Sequence, residues 1–554
     1  MSAFSLLSIG ASAMAANYTA LQTTGNNIAN ANVAGYSRQR VELTTASSQS
    51  TRSGNLGQGV DVKSVSRAHD QFLAREAASA QSNAHMDKAR ASALQRLEET
   101  FRPGETGVGY AAGQFLNVMT ELASRPTDLA VRQTVLARAD EVATRFTAAS
   151  RHMDAIQADV SAALGEGVQR INVLAEGLAH INQKIVSVSG PQGAPNDMLD
   201  ERDRLLNQLS EKLLIKTVMS QDGSVSVFVG DGRPLVMGSE ARPLVAVKDP
   251  SDAGRSSLAM KDGAGTRLID SDFLAGGELA GLLKFQNEDL VQARALLGQM
   301  AAGLTAAVNT QHALGTDLKG QPGGDLFFDF HDSAAPGSLA LVRPAAGNKD
   351  SAVPVLTIAD PAELQAAEYT LAFDTVADGW MLQSSQGGAK LSVADALTAG
   401  LNLTGVDALN KGDRFLLQPV TYAAGAMRRQ LSRPEDLAAA SSSSPNGNML
   451  ALAALADQSM VGRSTGGQGG ATITDAYASA MAEMGTRVQG ATTAADISTS
   501  VADQAEIRRS ASDGVNLDEE AARLIQSQQA YQASAKVLQV AQSIFDTLLQ
   551  AAAV

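Results

Sequence analysis

The hydrophobic positions near the start of the chain predict a helix that packs along another helix. Residues 1–37 contain no charged side chain. Apolar and small residues recur there at alternating intervals of four and three, at Leu7, Ala11, Met14, Tyr18, Leu21, Gly25 and Ile28. A spacing of about 3.5 residues is the period of two helices in extended contact. The asparagines at 26–32, followed by Gly35, favour the end of this helix.

The C-terminal end carries a second pattern of the same kind. Asn516 can cap a helix whose first turn holds the acidic residues 518–520, where the helix dipole favours negative charge. The same alternation follows at Leu517, Ala521, Leu524, Gln528, Tyr531, Ala535, Leu538, Gln542, Phe545 and Leu549. A second apolar stripe through 537, 541, 544 and 548 predicts neighbours on two sides of this helix.

The middle of the chain alternates between helical and strand patterns. Residues 67 to about 214 are helical, and the apolar positions of 135–188 predict one helix about 80 Å long, or two if Gly165 and Gly167 break it. Near residue 216 the period changes to two, with turn signals at 222–223 and 231–232. A helical pattern returns from Glu278 to about Leu314.

These patterns predict a mixed α and β, elongated, multidomain protein, with long coiled-coil-like helices from both termini and inserted β-rich domains. The predicted divisions are an N-terminal helix with an extended segment, a long-helix domain, a β-hairpin segment, a returning helix, a β-rich outer insert and C-terminal helices. They span, in that order, 1–66, 67–215, 216–272, 273–318, 319–432 and 433–554.

Composition narrows the function. The chain has 554 residues, no Cys and a formal net charge of −14. Without Cys there is no disulfide framework, thiol nucleophile or thiolate metal site. The acidic balance argues against nucleic-acid binding, and no run of about 18 apolar residues predicts membrane insertion. A cleaved signal peptide is the rival interpretation of the first helix, but the segment has no early Lys or Arg and its periodicity continues past Ala15.

Candidate chemistry is sparse. No His pair has the spacing of a shared metal site on one helix, and neither a phosphate loop nor a nucleophile elbow is present. We therefore predict no catalytic, cofactor-binding or metal-binding residues. The acidic residues Asp200, Glu201 and Asp203 alternate with arginines, which is typical of a solvated helix face.

Residues 26–39, NNIANANVAGYSRQ, resemble the signature of the bacterial flagellar rod, hook and hook-associated protein family, in the form found in hook-associated members. Segments 515–520, 528–533 and 537–539 are similar to the C-terminus of those members, and 475–479 and 281–285 also fit. Residues 330–430 resemble nothing that we can identify.

The resemblance implies a non-enzymatic structural subunit that leaves the cell through the flagellar type III channel without a cleaved signal. It further implies polymerisation at the hook tip into the junction between hook and filament, an extracellular location, and terminal helices that pack into the inner axial tube. The implied partners are other copies in a helical ring, the hook protein, hook-associated protein 3 and an export chaperone that holds the C-terminal helix.

The assembly interface that the resemblance implies has three parts. Two helix faces pack together, and a turn leaves the tube between them. The residues are Leu7, Met14, Tyr18, Leu21, Asn27, Ile28, Asn30, Gly35, Tyr36, Leu524, Tyr531, Leu538 and Phe545. Two alternatives stay open: a hydrolase on a flagellar scaffold, with its activity in 319–432, and a long-helix signalling protein.

Overall fold

The computed structural model describes residues 3–51, 54–188, 194–262, 265–332, 336–349, 352–463 and 469–552. The helices α1 to α11 are, in chain order, Ala3–Asn30, Gln71–Glu98, Val108–Ser124, Leu129–Val188, Asn196–Lys212, Glu278–Lys284, Leu290–Ala313, Ala423–Ala426, Gly447–Ala454, Ile473–Asp513 and Leu517–Ala552. The strands β1 to β18 are Gln39–Thr45, Gln49–Thr51, Gly54–Leu56, Val60–Arg67, Ile215–Met219, Val225–Val229, Arg233–Met237, Glu240–Ala241, Leu244–Lys248, Ser256–Asp262, Gly265–Leu268, Val342–Pro344, Val355–Ile358, Tyr369–Asp374, Gly379–Ser384, Leu391–Ser392, Leu401–Thr404 and Arg414–Leu417.

The helical body is built around α4, which runs unbroken for 60 residues. Its glycines do not divide it, and one of them lets another element approach: a Cβ at Gly167 would lie 2.6 Å from Leu279 Cδ1. The long helix α2 lies along α10, and α3 packs on α4. The helix predicted from Glu278 is present as α6, a π-helical turn at Phe285–Asp289, and α7.

The segment predicted as a hairpin at 216–272 contains more strands than expected. It forms a sheet in the order β5-β6-β7-β8 and another in the order β11-β10-β9. Both Asp-Gly turns are confirmed, with Gly223 at φ 85° and Gly232 at φ 91°. The amide of Asn182 on α4 donates to the carbonyls of Val225 and Gly238, each at 2.8 Å, and so attaches the first sheet to the helical body.

The β-rich insert has a five-stranded sheet in the order β12-β18-β14-β15-β16 and a separate pair, β13 and β17. Its first strand begins at Val342 rather than near 319, because the preceding segment packs on the helical body. The ring of Phe327 lies 5.4 Å from that of Phe115 on α3, edge to face. The predicted class, an elongated mixed α and β protein with long helices at both ends, is confirmed.

The largest apolar core extends along the chain from Ala91 to Ala491. Among the described residues, this core contains none from α1, from β1 to β4, or from α11. The terminal helices are therefore joined to the body by contacts of a different kind.

Candidate assembly interface at the terminal helices

Helices α1 and α11 form a long antiparallel pair. Gly10 lies beside Leu538, where an added Cβ would be 3.3 Å from Leu538 Cγ, so the backbones approach closely. Further along, the rings of Tyr18 and Tyr531 are 6.4 Å apart. The pair thus brings the first and last described helices of the chain together over most of their length.

The structure brings the apolar residues of the two predicted faces to this contact, all of them half-buried: Leu7, Met14, Leu21, Ile28, Leu524, Tyr531, Leu538 and Phe545. The companion positions on α11 differ from the expected ones. They are Glu520, Ser527, Ser534 and Ala541, one residue earlier than Ala521, Gln528, Ala535 and Gln542. Hydrophobicity could not locate this second row, because three of its four members are polar.

The outer surface of the pair remains apolar. On α11 five large aliphatic side chains are between 41% and 58% exposed: Ile525, Val537, Val540, Ile544 and Leu549. On α1 Tyr18 is 54% exposed, although its ring reaches Tyr531. A monomer leaves this surface in water, and a contiguous exposed apolar stripe of this kind marks an interaction surface.

Asn27 fastens the base of the pair. Its Oδ1 accepts from the Tyr36 hydroxyl at 2.8 Å and from the Gln39 amide at 2.9 Å. Its Nδ2 donates to the Gln39 carbonyl at 2.9 Å and to Glu520 Oε2 at 2.8 Å. Asn27 and Glu520 are both about 1% exposed. One side chain therefore links the end of α1, the start of β1 and the first turn of α11.

The turn between α1 and β1 holds the other predicted residues. Gly35 has φ 84°, a conformation that side chains with a Cβ rarely adopt. Burial, together with the nearby carboxylates of Asp200 and Glu520, raises the pKa of Tyr36 to about 12, so the phenol stays protonated and donates. Asn30 lies apart from this network, and its amide donates to the Asn26 carbonyl at 2.9 Å.

Ion pairs join the terminal pair to the helical body. The carboxylate of Asp200 is buried; it accepts from the Ser37 amide at 3.2 Å and from Arg67 Nη1 at 3.0 Å. Arg67 Nη2 lies 2.7 Å from Asp203 Oδ2. The prediction that Asp200 and Asp203 lie on a solvated face is therefore wrong, and only the Glu201–Arg204 pair on α5 fits it.

A second set of contacts reaches the start of α11. Asn516 caps this helix as predicted, accepting from the Asp518 amide at 3.0 Å. Glu519 does not complete a capping box, because its carboxylate pairs with Arg38 Nη1 at 2.9 Å. Buried Asp513 accepts from the Asp70 amide at 3.0 Å, and its carbonyl accepts from the Arg38 amide at 2.9 Å. Sequence reasoning missed these pairs because their members are distant along the chain.

The described part of the chain contains no group of three or more His, Asp or Glu that could hold a metal ion. Nor is any helix in that part long and apolar enough to cross a membrane. His331, the residue on which the hydrolase alternative depended, has Nε2 2.9 Å from the Pro419 carbonyl, and its ring packs edge-on against Phe330. The hydrolase alternative is not supported.

Comparison with known proteins agrees with this arrangement. The model of flagella basal body rod proteins matches residues 7–36, and that of the C-terminal region of basal body rod FlgEFG proteins matches 511–551. These two segments are α1 with its turn, and α11. The chain is therefore a structural component of the bacterial flagellum, which is an extracellular structure.

The particular family follows from the body of the chain. Residues 94–327 match the model of the flagellar hook-associated protein FlgK helical domain. Flagellar hook-associated protein 1 of Salmonella typhimurium is 31% identical over 98% of this chain and 99% of its own length. The Escherichia coli K12 protein of the same name has the same identity and coverage, and the Bacillus subtilis protein is 25% identical over 97% and 96%. The chain belongs to the flagellar hook-associated protein 1 family.

The fold agrees as well. The structure of the flagellar hook junction protein FlgK from Burkholderia pseudomallei superposes with a TM-score of 0.68, at 21% identity. The superposition covers 78% of this chain and 98% of that one.

Proposed function

We propose that this chain is a non-enzymatic subunit of the junction between hook and filament. It polymerises at the hook tip, and α1 and α11 pack against those of neighbouring copies to form the inner axial tube. The apolar surface that the pair leaves exposed, from Tyr18 and Ile525 to Ile544, carries this proposal. Burying apolar area contributes about 25 cal/mol per Å², which is the driving force for such packing.

The remaining parts of the proposal concern export and partners. The chain leaves the cell through the flagellar type III channel without a cleaved signal, and α1 is retained because it forms half of the helix pair. A chaperone covers the exposed stripe of α11 before export. In the assembled junction the chain contacts the hook protein on one side and hook-associated protein 3 on the other.

The test replaces exposed apolar residues with polar ones. Val540→Gln combined with Ile544→Gln removes apolar surface from the outer face of α11 and leaves its inner face intact. We expect an unchanged thermal unfolding midpoint of the monomer and loss of incorporation into purified hooks. Val376→Gln is the matched control, since Val376 is 95% exposed at a hairpin turn of the insert. Normal incorporation of the double variant would refute the proposal.

A further inference from the structure

A cavity of about 450 Å³ lies where the base of the terminal pair meets the helical body. Its wall includes Gly35 and Ser37 from the turn after α1, Ala74 and Ala78 on α2, and Leu206 on α5. Ligand pockets in proteins have volumes of about 300–1,000 Å³. The cavity is therefore large enough for an aromatic side chain together with its flanking residues.

The lining is strongly cationic. It includes Arg75, Arg202, Arg204, Lys216 and Arg509, with Asp203 as its carboxylate. Arg204 and Arg509 each pair with a glutamate on their own helix, and buried Arg202 contacts Asp203. Arg75 and Lys216 are exposed and have no ion pair within the described residues. In a chain with a net charge of −14, this local positive charge attracts an anionic group.

The same chain presents a projection of complementary character, the segment Asp270–Phe273. The 3₁₀ turn Ser271–Phe273 begins here, and Asp270 Oδ1 accepts from the Asp272 amide at 3.1 Å. The turn holds the ring of Phe273 outward, 56% exposed, between two exposed carboxylates. An aromatic ring flanked by acids matches a cavity that has an apolar wall and a cationic rim.

We propose that the cavity receives the Asp270–Phe273 segment of a second copy of this chain. This inference rests on the proposed function, because it describes a contact between neighbouring subunits of the junction. A projection and a cavity on different surfaces of one chain make a head-to-tail contact, and repeating that contact builds rings or helical assemblies. Phe72, the other strongly exposed phenylalanine of the described residues, is beside the cavity on α2 and lacks paired exposed acids.

The natural absence of Cys makes this contact directly testable by cross-linking. One population carries Ser271→Cys in the projection, and a differently tagged one carries Ser79→Cys at the cavity. Both serines are exposed. The two full-length chains are co-assembled on purified hooks and oxidised. We expect a disulfide-linked band that contains both tags, which only an intermolecular contact can give. A control population with Ser239→Cys, beside the sheet β5 to β8, should not cross-link to Ser79→Cys.

Charge reversal gives an independent test. Arg75→Glu with Lys216→Glu, or Asp270→Lys with Asp272→Lys, should each reduce incorporation at least tenfold, because like charges then face each other. All four substitutions together should restore it. Lys248→Glu, at an exposed lysine on β9, is the control for added negative charge and should have no effect.

The outcomes separate the two proposals. Incorporation of both Cys chains without a mixed band, or failure of the fourfold variant to restore incorporation, would overturn the contact and leave the proposed function standing. A band joining Ser79→Cys to a different protein would also overturn it, by assigning the cavity another occupant. If even the Cys-free chain fails to incorporate, the proposed function fails and the contact fails with it.

Discussion

Asn27→Ala should release the base of the terminal helix pair without unfolding the body. The substitution leaves the amide and carbonyl of Gln39 without their partner and removes a donor from the buried carboxylate of Glu520. A buried backbone group that loses its partner costs about 1 kcal/mol or more, and a charged group costs about 2 kcal/mol. The expected loss is about 4 kcal/mol, which is on the order of a 10³-fold change in an equilibrium constant.

This loss should be local. The main apolar core includes no described residue of α1 or α11, so the pair can open while the body stays folded. Hydrogen exchange measures this directly, at the Gln39 amide and in the first turns of α11. We expect faster exchange there and unchanged exchange in α4.

Asn30→Ala is the matched control, because Asn30 bonds only within its own helix, to Asn26, in the contacts that the structure describes. It should change exchange by less than about 0.5 kcal/mol. Equal protection of α11 in wild type and Asn27→Ala would refute the reasoning, as would equal effects of the two substitutions.

Three further predictions concern the body and are checked by urea unfolding. Gly298→Ala should lower stability by about 2 kcal/mol or more, because its Cβ would overlap the Val420 carbonyl oxygen, whereas Gly165→Ala, with nothing within 4 Å, should raise it by up to about 1 kcal/mol. Asp289→Ala should cost about 3–5 kcal/mol, since this fully buried carboxylate pairs with Arg90 at 2.7 Å and Arg487 at 3.3 Å; a loss under 1 kcal/mol would contradict the assignment. Burial lowers the pKa of His312, whose neutral ring contacts the Gly324 carbonyl and accepts from the Ala438 amide, so stability should fall as pH drops below about 6.5, less steeply in His312→Gln.

Local patterns in the sequence predicted the elements whose contacts repeat along one face. The apolar rows of α1 and α11, the length of α4 and the two Asp-Gly turns follow from spacing alone, because each depends on near neighbours in the chain. The same method placed the second row of α11 one residue late, since Glu520, Ser527 and Ser534 are polar residues in a buried row.

Contacts between distant segments were beyond such reasoning. Asp200 resembles any solvated acidic residue until Arg67 and the Ser37 amide are brought to it by the fold. The strand order of the insert, with β18 between β12 and β14, likewise depends on pairings that no local period encodes. The signature at 26–39 indicated the family, but only the coordinates show that Asn27 uses both ends of its amide to hold three elements together.

The antiparallel course of α1 and α11 has a practical consequence. Gly10 and Leu538 are neighbours, so the whole stretch from Gln39 to Asp513 leaves and re-enters at a single place. The outer ends of both helices point the same way, and a fluorescent fusion at either one would crowd the same narrow space. A reporter is better grafted at the exposed hairpin turn near Val376, where added residues disturb neither helix.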